Sequence, residues 1–184
     1  DVDALMRRTA GRPLPAGTLP PSAAVALGFG LAALSWGTLV INTHMLAGAL
    51  ALVSIFYYGI VYTVWLKRRT PENIVIGGAA GASAPLIAWA AVTGTIGLPA
   101  VLLSAVVVLW TPPHFWSLAL YRREDYERAG IPMLPVTHGE AVTRRRILLY
   151  TLVLIPATLL LVPLGVVGPV YTVPAALLGA RFII

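Results

Sequence analysis

Long apolar runs alternate with short polar segments along the chain. Five runs of about 20 mostly apolar residues stand out: Pro21 to Ile41, Met45 to Leu66, Ile74 to Thr93, Leu98 to Leu120 and Ile147 to Val167. A sixth opens at Pro169 and continues to residue 184. At about 1.5 Å per residue, each of the five can cross a hydrocarbon core roughly 30 Å thick. None shows the period-two alternation of a membrane strand, so the pattern predicts an all-α, polytopic transmembrane bundle forming one membrane domain over residues 1–184. The small residues Gly77-Gly78-Ala79-Ala80-Gly81 in the third run predict close helix contact there.

The polar segments divide sharply by charge. Residues 1–20, 67–73 and 121–146 hold twelve of the thirteen Lys and Arg residues, and the alternate connections, around Asn42-Thr43-His44 and Thr93 to Gly97, hold none. The positive-inside rule therefore places the charged loops in the cytoplasm and predicts a multi-pass protein of a bacterial inner membrane. All seven carboxylates, Asp1, Asp3, Glu72, Glu124, Asp125, Glu127 and Glu140, share that face. Orientation alone does not require this, because Asp and Glu contribute little to it.

Composition agrees with the lipid bilayer as the solvent. Hydrophobic residues make up 58% of the chain and charged residues 11%, against roughly a quarter charged in ordinary soluble domains. The net charge of +6 lies between apolar runs and is not interleaved with aromatics, which argues for anionic headgroups or phosphorylated substrates and against nucleic acid. Without cysteine there is no disulfide, thiolate ligand or Cys nucleophile. The polar start at Asp1, with no initiator Met, and the apolar stop at Ile184 predict a fragment that extends at both ends in the natural protein.

Three polar segments and one apolar one could carry chemistry. Asp1-Val2-Asp3 offers carboxylates at a spacing that can hold Mg²⁺ together with phosphate oxygens, and a solvated loop would look the same. At the basic triplet Lys67-Arg68-Arg69 a phosphate clamp and a topology anchor would look alike, and taken by itself the loop favours the anchor. The third charged loop is long for a helical bundle, and its Tyr121-Arg122-Arg123-Glu124-Asp125-Tyr126 sets a second carboxylate group beside Arg, as either a metal and diphosphate site or local ion pairs. Within the fourth run, the paired prolines of Trp110-Thr111-Pro112-Pro113-His114-Phe115-Trp116 are expected to break the helix ladder and line a pocket. His114 beside them is a functional candidate or a hydrogen-bonded packing residue.

Taken together, these segments resemble the UbiA-type intramembrane prenyltransferases, and among them the haem-farnesylating branch. The likeness rests on Met6-Arg7-Arg8-Thr9 with Arg12-Pro13-Leu14-Pro15, and on Tyr62-Thr63 and Leu66-Lys67-Arg68-Arg69-Thr70 with Asn73 to Gly78. It rests further on the Trp110 to Trp116 string and on Asp125-Tyr126 with Gly130-Ile131-Pro132-Met133-Leu134-Pro135. The resemblance implies a nine-helix bundle of which about six helices, the third to the eighth, are present. Asp3 would match the last aspartate of the first metal motif and Asp1 the acidic residue two positions earlier, with the rest of that motif upstream. The chain by itself is therefore expected to be inactive.

The implied reaction moves a farnesyl group from farnesyl diphosphate to a vinyl group of haem b, giving haem O and diphosphate. The implied roles are Mg²⁺ ligation by Asp1, Asp3 and Asp125, with Asp3, Asp125 and Lys67 catalytic. Substrate would be bound by Arg8, Arg12, Lys67, Arg68, Asn73 and Arg122, and the haem side formed by His114, Trp116 and Tyr121. Haem A synthase is the implied neighbour in the pathway. Prenylation of an aromatic acid or quinone precursor is the alternative within the fold, and a transporter component is the alternative outside it.

Overall fold

The computed structural model describes residues 2–6 and 9–183, and every regular element among them is helical. Asp1, Arg7, Arg8 and Ile184 lie outside the described residues. In chain order the elements are α1 (Val2–Leu5), α2 (Pro21–Asn42), α3 (Met45–Phe56), a π-helical stretch (Tyr57–Leu66), α4 (Asn73–Gly81), α5 (Ser83–Thr93), α6 (Leu98–Tyr121), α7 (Arg123–Arg128), α8 (Leu134–Thr137), α9 (Gly139–Leu159), a 3₁₀ turn (Pro169–Tyr171) and α10 (Thr172–Ile183). Four segments are long and apolar enough to cross a membrane: Pro21–Asn42, Met45–Leu66, Asn73–Thr93 and Leu98–Tyr121. They coincide with the first four runs of the hydropathy pattern. The chain is an all-α, multi-pass membrane protein.

Outward-facing apolar side chains follow from that solvent. No residue of α2 is buried, and Phe29, Ile41 and Val92 are largely exposed. In water, a surface this apolar would drive association. In lipid it costs nothing, and the helices are held by close approach instead. Small residues make up much of the buried surface, among them Ala47, Ala51, Ala90, Ala100 and Ala119. A Cβ at Gly48 would lie 2.6 Å from Val40 of α2, and one at Gly78 would lie 2.9 Å from Thr111 of α6.

The third apolar run is two helices, not one. Pro85 in the first turn of α5 has no N–H to give to Gly81, and the preceding glycines are poor helix formers, so the chain bends at Ala82. The Ser83 hydroxyl donates to the Ala80 carbonyl at 2.7 Å and lies 2.7 Å from the Ser54 hydroxyl of α3, which ties the bend to its neighbour.

Two expectations are corrected. The paired prolines do not interrupt the fourth span, because α6 runs through Pro112 and Pro113 without a break. Proline's fixed φ is itself helical, both rings are buried, and α6 is the central element, packed on α4, α5 and α9. The fifth element begins at Gly139, not at Ile147, and ends at Leu159, not at Val167. Arg144, Arg145 and Arg146 therefore sit on α9, where Arg144 pairs with Glu140 one turn earlier at 2.5 Å. Past Pro156 the chain leaves the helix, turning at Gly165 with φ of 69°.

Gly77 of α4 faces the buried ring of Tyr62 in the π-helical stretch, and a Cβ there would come within 2.6 Å of the ring. Gly77→Val is expected to cost about 1–3 kcal/mol through overpacking, read as a lower melting temperature in detergent. Gly30→Val on α2, with nothing within 4 Å, is the comparison that should melt unchanged. Equal melting of the two variants would refute this close packing.

Candidate active site at the charged end of the bundle

The three polar segments meet at one end of the bundle, and apolar side chains bring them there. Met6, Ile74, Trp116, Ala119, Ile131, Met133 and Leu134 form one buried cluster that joins the N-terminal segment, α4, α6 and the segment after α7. The Gly130 to Pro135 string supplies three of these residues. Its geometry is a Schellman turn: Gly130, with φ of 63°, donates its N–H to the Glu127 carbonyl at 3.1 Å, and Ile131 donates to the Tyr126 carbonyl at 3.0 Å. This closes α7 and turns Ile131 inward, where it is 2% exposed.

A cavity of about 720 Å³ opens among these segments, lined by Asp3, Lys67 and Arg68 with Leu14, Val64 and Ile131 among its apolar walls. Asp3 is fixed from two sides. The buried Thr9 hydroxyl donates to its backbone carbonyl at 2.7 Å, and the Arg12 guanidinium donates to its carboxylate at 3.0 Å. Arg12, expected to contact substrate, thus engages Asp3 directly. The pair is substantially exposed and adds little stability; its effect is to orient the carboxylate. One hard-oxygen donor facing two cations is a donor set that fits a diphosphate carrying a divalent ion, since Mg²⁺ takes one or two carboxylates plus phosphate oxygens.

Lys67 is held through its backbone. Its N–H donates to the Tyr62 carbonyl at 2.8 Å, the closing bond of the π-helical stretch, and its carbonyl accepts from the Asn73 side-chain amide at 3.2 Å. Asn73 itself is 1% exposed. It is not among the residues that line the cavity, where substrate contact was expected. Glu72 forms an ion pair with Arg146 of α9, which ties the 67–73 loop to the third charged segment.

Asp125 stands apart from this cavity's lining. On α7 it pairs with Arg128 at 3.3 Å and lies 4.0 Å from Arg122, whose guanidinium also rests 5.3 Å from the centre of the Tyr121 ring. Among the described residues no three His, Asp or Glu side chains gather as a metal site, and Asp1 and Arg8 lie outside the described residues.

The three residues expected on the haem side are also separated. Trp116 is fully buried, edge-on to Tyr150 with ring centres 5.5 Å apart, while Tyr121 is 81% exposed. His114 lines a second cavity of about 330 Å³ between α6, α9 and α10, its ring stacked on Trp110 at 4.4 Å. Sequence reasoning missed the Asn73 tie and the Glu72–Arg146 pair. The charges of Glu72 and Arg146 were visible, but nothing in a sequence joins two residues 74 positions apart.

Three curated relatives named protoheme IX farnesyltransferase come from Dinoroseobacter shibae, 53% identical over 183 residues, Azorhizobium caulinodans, 55% over 179, and Paracoccus denitrificans, 51% over 183. These alignments cover 100%, 97% and 100% of this chain and 58%, 58% and 60% of the relatives, so the chain spans a little under two thirds of their length. No solved structure matches. The UbiA prenyltransferase family matches residues 1–184 throughout, and the chain belongs to that family.

Proposed function

We propose that the protein transfers a farnesyl group from farnesyl diphosphate to a vinyl group of haem b, yielding haem O. The observation that carries this reading is the 720 Å³ cavity lined by Asp3, Lys67 and Arg68 together with apolar residues. The names of the relatives support the haem acceptor. Family membership sets the transporter reading aside.

The chemistry follows from where charge appears. The allylic carbon–oxygen bond breaks and its electron pair leaves with diphosphate, so negative charge grows on the phosphate oxygens. Lys67 and Arg68, which line the cavity, would neutralise that charge. A divalent ion is typical of the family; when bound, it would neutralise further charge, and Asp3 is the described residue placed to hold it, with Asp1 and Asp125 as further candidates. The farnesyl carbocation is then attacked by the terminal vinyl carbon of haem, forming the new carbon–carbon bond. Water adds at the adjacent carbon and loses a proton, leaving the hydroxyl. Apolar walls such as Leu14, Val64 and Ile131 keep bulk water from the cation before the acceptor reaches it.

On the acceptor side the burial of Trp116 in the core cluster leaves His114 and the exposed Tyr121 as the candidate haem contacts. Arg122 is a further candidate for the phosphates. In a bacterial inner membrane, the setting of this reading, the positive-inside rule would turn this charged end toward the cytoplasm. Membranes carrying the full-length protein, supplied with farnesyl diphosphate, haem b and Mg²⁺, are expected to form haem O, detected by mass. Prenylation of 4-hydroxybenzoate without haem O would overturn the reading.

A further inference from the structure

We infer that Asn73 is a positioning residue for diphosphate binding, acting through Lys67 and never touching the substrate. The inference rests on the reading of Lys67 as a diphosphate clamp. Its starting point is a cost. Asn73 is 1% exposed and its Oδ1 has no hydrogen-bond partner, an arrangement that disfavours folding and that an apolar side chain would avoid. What the amide does provide is one bond, from Nδ2 to the Lys67 carbonyl at 3.2 Å.

That bond answers a specific problem. Lys67 caps the π-helical stretch, and the last carbonyls of a helix have no partner within it and carry the negative end of its dipole. An anion site built at such a terminus has the wrong sign unless those carbonyls are engaged. Asn73 engages the one that belongs to the clamp residue itself. Lys67 is thereby fixed at both its N–H, by Tyr62, and its carbonyl, by Asn73. Asn73 is anchored in turn as the first residue of α4, its N–H donating to the Thr70 carbonyl at 3.3 Å. The Glu72–Arg146 pair holds the residue before it. The loop is short and tied at each end, so loss of the amide bond releases Lys67 first.

The test is kinetic, in membranes bearing the full-length protein, with inorganic diphosphate as the competing probe. Asn73→Ala is expected to raise KM for farnesyl diphosphate about 10-fold and weaken inhibition by diphosphate in parallel, with KM for haem b unchanged. In a Lys67→Ala background the same change should add nothing, because a residue that acts through Lys67 has no further effect once Lys67 is gone. Additive effects, or equal rises for both substrates, would overturn the assignment while leaving the clamp in place. If Lys67→Ala alone leaves diphosphate affinity untouched, the clamp reading falls and this inference with it. Should Asn73→Ala fail to insert, Asn73→Ser, which keeps a small polar side chain too short for the same bond, is expected to show the same split, and an unchanged KM there would refute it.

Discussion

Asp3→Ala is expected to lower kcat by about 100-fold or more in the full-length protein while leaving membrane insertion intact. Among the described residues Asp3 is the carboxylate that lines the larger cavity, and it lies on a four-residue helix outside the apolar runs, so no span depends on it. The Arg12 contact adds a second expectation. With the carboxylate removed, the Arg12 guanidinium loses its 3.0 Å partner and is left near the place where the phosphates would sit. Binding of farnesyl diphosphate should therefore hold or tighten as turnover falls, the signature of a group needed in the transition state more than in the ground state. Protease protection of the tagged termini reads insertion, and single-turnover assays read the chemical step. Turnover near the unaltered rate would end the metal-ligand role of Asp3.

The bundle was legible in the sequence because a bilayer imposes a simple rule on it. Four apolar runs became the four longest apolar segments with boundaries shifted by one residue at most, since lipid demands length and hydrophobicity and little else. The fifth was misjudged for a physical reason. Hydropathy reads where lipid begins, whereas a helix continues wherever the backbone can, and Glu140, Ala141 and the three arginines Arg144 to Arg146 are good helix formers that extend α9 into the polar region. The prolines misled in the opposite sense. Their missing donors are a local deficit, and the packing of α6 on three neighbours was invisible in one dimension.

The candidate site was legible by residue type and not by partner. Asp3, Lys67 and Arg68 were named from their charge together with the family resemblance, and they do share a cavity. Asn73 was named as well, but as a substrate contact; burial moves it behind Lys67. Trp116 and His114 sit two positions apart on α6, which turns their side chains some 200° from one another, so a string that reads as one motif serves two surroundings. One is the buried cluster and the other the cavity against α9 and α10.

Lys67→Glu separates clamp from anchor more sharply than removal of the charge. The substitution replaces a cation by an anion beside Asp3 in the cavity that would receive diphosphate, and reversing one charge against a multiply charged ligand costs about 3 kcal/mol even at the dielectric of bulk water, where one pair of unit charges roughly 4 Å apart is worth about 1 kcal/mol. KM for farnesyl diphosphate should therefore rise about 100-fold. Orientation should not change, because Arg68 and Arg69 remain at the same membrane end and a carboxylate has little influence on topology. Lys67→Arg should retain most of the affinity, since the backbone N–H bonded to the Tyr62 carbonyl and the backbone carbonyl bonded by the Asn73 side-chain amide hold whichever side chain stands there. An anchor would behave in reverse: diphosphate affinity would be indifferent to the sign of the charge, and a reporter in the 67–73 loop would move across the membrane. The decisive quantity is the affinity of inorganic diphosphate, which has no apolar tail and so reports the charges alone.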